Sequence, residues 1–526
     1  MVICSSTPLA KAEKRANLHD SINWLICASK FSAFFGVWMR YCRLRCLLFA
    51  LFCAATTAST GFAQAPSASQ YQQTAGNPLE FRGVDFNKLN DDALAWLDGL
   101  IHIDTSVPVN ELAAAKYLAG ILQKEGISAE VDRNPSGGGI LIARLAASPF
   151  PDPAHALLLV GDLYAAPADR SRWQVDPFGA ILQNEYLYGR GTVGGKSMVA
   201  AELAVLIALK RSNAQLSRDI ILLADGGEEQ GQPGMRFVVE NYWQKIAAGF
   251  ALTSGGSVVL NDGKVQYVGV QSAEKVPAQI VLTAKGNPSP AGVPSSENAV
   301  FSLAAALDKI AAFKTPFHLT PITEAYFEQL SAVEDPSIGK WMNALDSPVR
   351  GDLALEKVAA ANPVWNALLR DTIAPTGLKT EGTAGDVPAQ AQATLDVGLL
   401  PGDSVDSILL SLKQAVNNPA ISFSSSTSVG EAAPSSSLSS DLFKAIQQAT
   451  QDEFPNVTII PVMSPEATAS AYLRLRNVQA YGLLPFPLSE QEASRAHGDN
   501  ERIPLDSFRK GLEYFFRIVS QFAAEK

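Results

Sequence analysis

Apolar residues recur along this chain at two spacings, and the change from one to the other divides it. Over residues 91–103 they follow a 3.6-residue repeat, with Leu94, Leu97, Leu100 and Ile101 on one face. Residues 110–125 repeat the pattern until Gly126 stops it, so two amphipathic helices are predicted. Short, unalternating apolar runs follow at 156–160 and 220–224, with a helical stretch at 198–210 between them. Runs of that kind suit strands covered on both faces, which predicts an α/β fold with a mostly parallel sheet.

Beyond residue 276 the texture changes. Residues 277–284 (PAQIVLTA) and 391–399 alternate like half-exposed strands, and 421–429 (ISFSSSTSV) is a Ser/Thr-rich strand. Amphipathic helices are predicted at 298–313 and 405–415. This order describes a small inserted α+β domain of ferredoxin-like type, with one further strand expected between the recognisable ones. A Ser-rich stretch at 430–439 leads back to the first domain. A helix at 441–453, a strand at 457–462, an apolar run at 480–486 and a helix at 505–522 close the chain.

Composition changes the picture mainly at the N-terminus. Met39 to Arg45 is basic, Cys46 to Ala55 is apolar, and Ala63-Gln64-Ala65 has the form of a cleavage site. That is a secretory signal, too short to span a bilayer. It predicts an exported protein, periplasmic or extracellular, or one held by an uncleaved N-terminal anchor. Met39 is the expected start, with residues 1–38 an upstream extension and 66–84 a polar linker. All five cysteines lie before Ala65, so the mature chain has no disulfide, thiolate metal site or cysteine nucleophile. The first 65 residues hold seven Lys/Arg and two Asp/Glu. The remaining 461 therefore carry 35 basic against 50 acidic groups, a net charge of −15. That balance argues against nucleic acid or an anionic membrane as partner.

Several segments carry a resemblance. They are residues 171–179 (SRWQVDPFG), 186–191 (YLYGRG), 196–202 (KSMVAAE), Glu228-Glu229 after the second buried strand, and 497–504 (HGDNERIP). In order and interval they resemble the dinuclear-zinc exopeptidase and amidohydrolase family of glutamate carboxypeptidase, acetylornithine deacetylase, succinyl-diaminopimelate desuccinylase and aminoacylase. The resemblance implies a catalytic-type domain over 85–275 and 431–526, interrupted by a lid and dimerisation domain over 276–430. It also implies cleavage of a peptide or acyl-amide bond by a water held between two zinc ions. The turn at 189–197 fails as a phosphate loop, because Arg190 stands where the Gly-x4-Gly-Lys-Ser spacing requires glycine.

Residue by residue, the resemblance implies that much of that chemistry is missing. Glu228 matches the general base, and Glu229 and His497 match ligands of one metal. Asp162 stands where a metal histidine is expected, and Tyr164 replaces the aspartate that would orient it. Gly194 takes the place of the bridging carboxylate and offers no donor atom. Ser254 replaces an acidic ligand with a hydroxyl. In the lid, Pro290 replaces a histidine that would reach the oxyanion, and Gly398 an arginine that would grip a substrate carboxylate. Asp386 stands for an asparagine, and Thr468-Ala469 for a Thr-Asp pair. Two readings follow. One is a hydrolase of weak activity using at most one zinc ion. The other is a non-catalytic pseudo-peptidase that binds through its cleft or pairs through its lid.

Overall fold

A computed structural model describes residues 83–147, 150, 152–226, 234–382, 385–427 and 433–524. The signal-like segment and nearly all of the linker lie outside the described residues, as do Glu228 and Glu229. Helix Phe86–Ile101 starts earlier than its apolar stripe because Asp85 caps it, its carboxylate accepting from the N–H groups of Asn87 and Lys88. Helix Pro108–Lys124 likewise begins on its proline, the residue type best tolerated at a first helical position.

The first half of the chain then supplies nine strands. They are β1 (Ala129–Arg133), β2 (Gly139–Leu145), β3 (Leu157–Asp162), β4 (Ile181–Gln183), β5 (Tyr186–Tyr188), β6 (Ile220–Asp225), β7 (Phe250–Thr253), β8 (Ser257–Asn261) and β9 (Lys264–Glu274). The insertion contributes β10 (Val276–Lys285), β11 (Ser289–Pro290), β12 (Thr372–Glu381), β13 (Asp386–Val387), β14 (Gln390–Leu399) and β15 (Ile421–Thr427). The return contributes β16 (Thr458–Ser464), β17 (Gln479–Gly482), β18 (Pro487–Leu488) and β19 (Arg502–Pro504).

The large sheet runs β1-β2-β6-β3-β7-β17-β9-β8-β18, with β16 alongside β9. It is mixed: β6, β3, β7 and β17 are mutually parallel at its centre, β1 and β2 run antiparallel to their neighbours, and the β8–β9 hairpin is antiparallel to β17 but pairs parallel with β16 and β18. Every residue of β6 is buried, as the unalternating pattern requires. Helix Gly195–Arg211 covers this centre, and every side chain from Lys196 to Leu209 on it is buried. It is enclosed by β3 and by the helices Phe86–Ile101 and Leu505–Ala523.

The insertion is a βαββαβ unit. Strands β12-β14-β10-β15 form an antiparallel sheet backed by helices Ala299–Ala312 and Val405–Val416. β12 is the further strand that the pattern leaves room for. Between Ala312 and β12 lie four helices that the hydrophobic pattern does not announce: Pro321–Leu330, Pro336–Met342, Gly351–Ala361 and Pro363–Leu368. They pack against the main sheet, where Tyr267 and Ile460 join Phe327, Leu330 and Trp365 in one apolar cluster.

Candidate functional site

In an open α/β sheet, ligands bind in the crevice beyond the carboxyl ends of the parallel strands. Here β3 ends in Asp162 and β6 in Asp225, which are register partners, and Ser254 follows β7. An Asp162 carboxylate oxygen accepts the Tyr164 N–H at 2.7 Å. The start of helix Gly195–Arg211 lies against the same strand end: a Cβ on Gly195 would sit 2.7 Å from the Asp162 carbonyl oxygen. Asp162, Tyr164 and Gly194 are therefore neighbours, as their motif positions imply. A Cβ on Gly194 would meet nothing within 4 Å, so packing does not require glycine there.

Ser254 precedes a turn that only glycine can make. Gly255 has φ +143° and Gly256 φ +57°, and a Cβ on Gly255 would lie 2.2 Å from the Gln271 side-chain oxygen. The Ser254 hydroxyl is buried without a hydrogen-bond partner among the described residues. His497 is exposed at φ +60°. Its segment is tied to the other motif pieces by several contacts. Arg172 pairs with Asp499 at 2.6 Å, and the Gln174 N–H donates to the Asn500 side-chain oxygen at 2.7 Å. The Arg190 guanidinium donates to the Glu501 carboxylate at 2.8 Å in full burial and lies over the Trp173 ring. The other Glu501 oxygen accepts the Val193 N–H, beside Gly194. In the insertion, Pro290 is exposed and directly opposite Asp386 in the β11–β13 pair, so two of the altered lid positions share one site. Gly398 is filled from the side, since a Cβ there would lie 2.8 Å from the Thr372 hydroxyl and 3.2 Å from Lys275 Cε.

The structure adds Glu111, which no motif names, and shows the burial of Lys196 and Glu202 at the two ends of the 196–202 motif. Glu111, in the first turn of helix Pro108–Lys124, is 1% exposed, and its Oε2 has no hydrogen-bond partner among the described residues. Burial pushes its pKa up to about 7, and the Asp162 carboxylate adds to the rise. It lies under Gly226, the last described residue before Glu228 and Glu229; a Cβ on Gly226 would be 2.3 Å from the Glu111 carboxyl carbon. Glu202 is wholly buried on helix Gly195–Arg211, and burial raises its pKa well above the ordinary carboxyl value. Lys196, also buried, donates to the Ile103 carbonyl at 2.8 Å and is pushed down to about 8 by burial. In sequence, Glu111 and Glu202 are each the single acid of a largely apolar helix. Asp225 had a visible signal, because it ends a buried strand three residues before the acidic pair.

Residues 158–521 match the profile of Peptidase family M20/M25/M40. The chain belongs to that family. Among M20 relatives, the probable carboxypeptidase S-like 2 of Dictyostelium discoideum is 24% identical over 375 residues, which is 69% of this chain and 71% of that protein. The N-fatty-acyl-amino acid synthase/hydrolase PM20D1 of Homo sapiens is 24% identical over 368 residues, 69% of this chain and 73% of that one. The M20 metallo-carboxypeptidase Sso-CP2 from Sulfolobus solfataricus superposes with a TM-score of 0.61 at 19% identity, covering 82% of this chain and 99% of that structure, a likeness of fold. M20 proteins act on peptide or acyl-amide substrates and typically hold two zinc ions. Among the described residues, no group of three or more His, Cys, Asp or Glu comes together as a metal site. With a hydroxyl at Ser254 and only backbone at Gly194, those residues do not fit a bridged pair of zinc ions.

Proposed function

We propose that this M20 protein has lost dinuclear-zinc hydrolysis and keeps its cleft as a binding site for a peptide or N-acyl amino acid. One observation carries the reading: the bridging position is Gly194, with open space where a carboxylate would reach. A side chain could stand there, so its absence reflects the lost chemistry rather than the packing. The unpartnered hydroxyl of Ser254, the exposed Pro290 and the filled space at Gly398 support the same conclusion from three other elements. The scaffold around them, Arg190–Glu501 above all, is retained.

The test is metal content after loading with Zn²⁺ and desalting, run beside assays on dipeptides and N-acyl amino acids. Wild type is expected to keep less than one zinc per chain and to hydrolyse neither substrate class. Gly194→Asp, which the open space admits, is expected to gain bound zinc. Two zinc ions in wild type, or wild-type turnover abolished by Glu228→Gln, would refute the proposal. The same reading includes pairing through the insertion. Its outer strand β12 is an unpaired edge of ten residues, and Leu378 on it and Phe301 on helix Ala299–Ala312 are 70% and 75% exposed.

A further inference from the structure

The chain passes from the main sheet to the insertion through one residue, Lys275, between β9 and β10. The groups on either side of this crossing are charged and buried, and each is fastened to a different body. On the main-domain side, a Glu274 carboxylate oxygen accepts from Arg474 at 2.5 Å, from the Gln271 amide at 2.9 Å and from the Thr468 hydroxyl at 3.1 Å. On the insertion side, the Lys275 ammonium donates to the carbonyls of Ala367 and Arg370 at 3.0 and 2.9 Å and to the Thr372 hydroxyl at 3.0 Å. These acceptors lie at the end of helix Pro363–Leu368 and the start of β12. The backbone N–H of Lys275 meanwhile donates to the Ser464 carbonyl at the end of β16.

The returning segment is held by the same arginine. Arg474 Nε donates to the Ser436 hydroxyl at 3.0 Å, and that hydroxyl donates to the Ala480 carbonyl at 2.7 Å. The Ser436 N–H donates to the Ser272 carbonyl at 2.8 Å, which joins the two crossing segments directly. Apolar packing continues across the boundary, where Ile322, Leu368 and Leu400 of the insertion meet Ala273 and Met463 of the main sheet.

We infer that Lys275, its backbone N–H held by β16 and its ammonium by the insertion, is an interdomain clasp that holds the insertion at one angle to the main sheet, with Arg474 fixing the main-domain side of the crossing. Rotation of the insertion about the crossing would strand the buried Lys275 ammonium, costly without its acceptors, while the Glu274 carboxylate would keep its main-domain partners. The clasp also explains the space at Gly398, which the Lys275 side chain fills from the neighbouring strand. It stands whether or not metal binds in the cleft.

Hydrogen exchange of the full chain tests it. In wild type, amides of residues 272–278 and 367–372 are expected to be among the slowest, exchanging at the rate of the β3 and β6 amides. In Lys275→Met they are expected to exchange at least tenfold faster, with β3 and β6 unchanged. Should that variant fail to fold, Thr372→Val removes a single acceptor and is expected to show a smaller acceleration at the same amides. Fast exchange at the crossing in wild type, or no acceleration in either variant that folds, overturns the inference.

Discussion

Glu111 carries a measurable consequence of its burial. Its folded pKa is raised to about 7 from the ordinary 4.5. Its contribution to stability is thus complete at pH values below 4.5 and is lost as pH rises through 7. The loss amounts to about 3 kcal/mol. Relative to Glu111→Gln, wild type is therefore expected to lose that much stability between pH 4 and pH 8, measured by urea denaturation at each pH. A constant difference would show that the carboxyl is solvated in the folded protein. Gly194 and Ser254 stand out in the sequence because recognisable motifs flank them: Gly194 follows a Gly-Arg-Gly turn, and Ser254 precedes a glycine pair. Glu111 does not, and Glu202 is visible only as the end of a motif, because periodicity assigns a lone acid in an apolar helix to the solvent face, and only three-dimensional packing shows its burial.

At the scale of elements, the strongest tie in the site joins residues more than three hundred positions apart. Arg190 and Glu501 are both fully buried, so removing one leaves the other charge without a partner. Arg190→Met is expected to cost about 3–5 kcal/mol in denaturant unfolding. Loss of the exposed Arg170–Asp176 pair is expected to cost less than about 1 kcal/mol. Helices were the most legible elements, and helix Asp441–Glu453 begins and ends where the pattern places it. The structure shows why the region before β12 was not. Its helices are short, three of them begin on prolines that read as breakers, and they bury side chains against the main sheet rather than along one stripe of their own. β12 itself is mostly exposed and kinked by a register shift at Pro375, which hides the alternation that marks an ordinary strand.

For the whole molecule, the α/β plan with an inserted antiparallel unit was legible because two hydrophobic periods coexist in one chain. The association state was not, since an exposed edge reads the same in a monomer and in one half of a dimer. If the molecule pairs through β12 and its neighbouring helix, light scattering should give a dimer mass, and Phe301→Ser with Leu378→Ser should return a monomer. A monomeric wild type would end that proposal. The enclosed helix Gly195–Arg211 has a last consequence. One of its walls is Leu505–Ala523, which is translated some three hundred residues after it. Until residue 523 has been made, this oily rod has no complete housing, so the nascent polypeptide must stay soluble by other means, and a stop codon ahead of residue 505 would yield a product that aggregates.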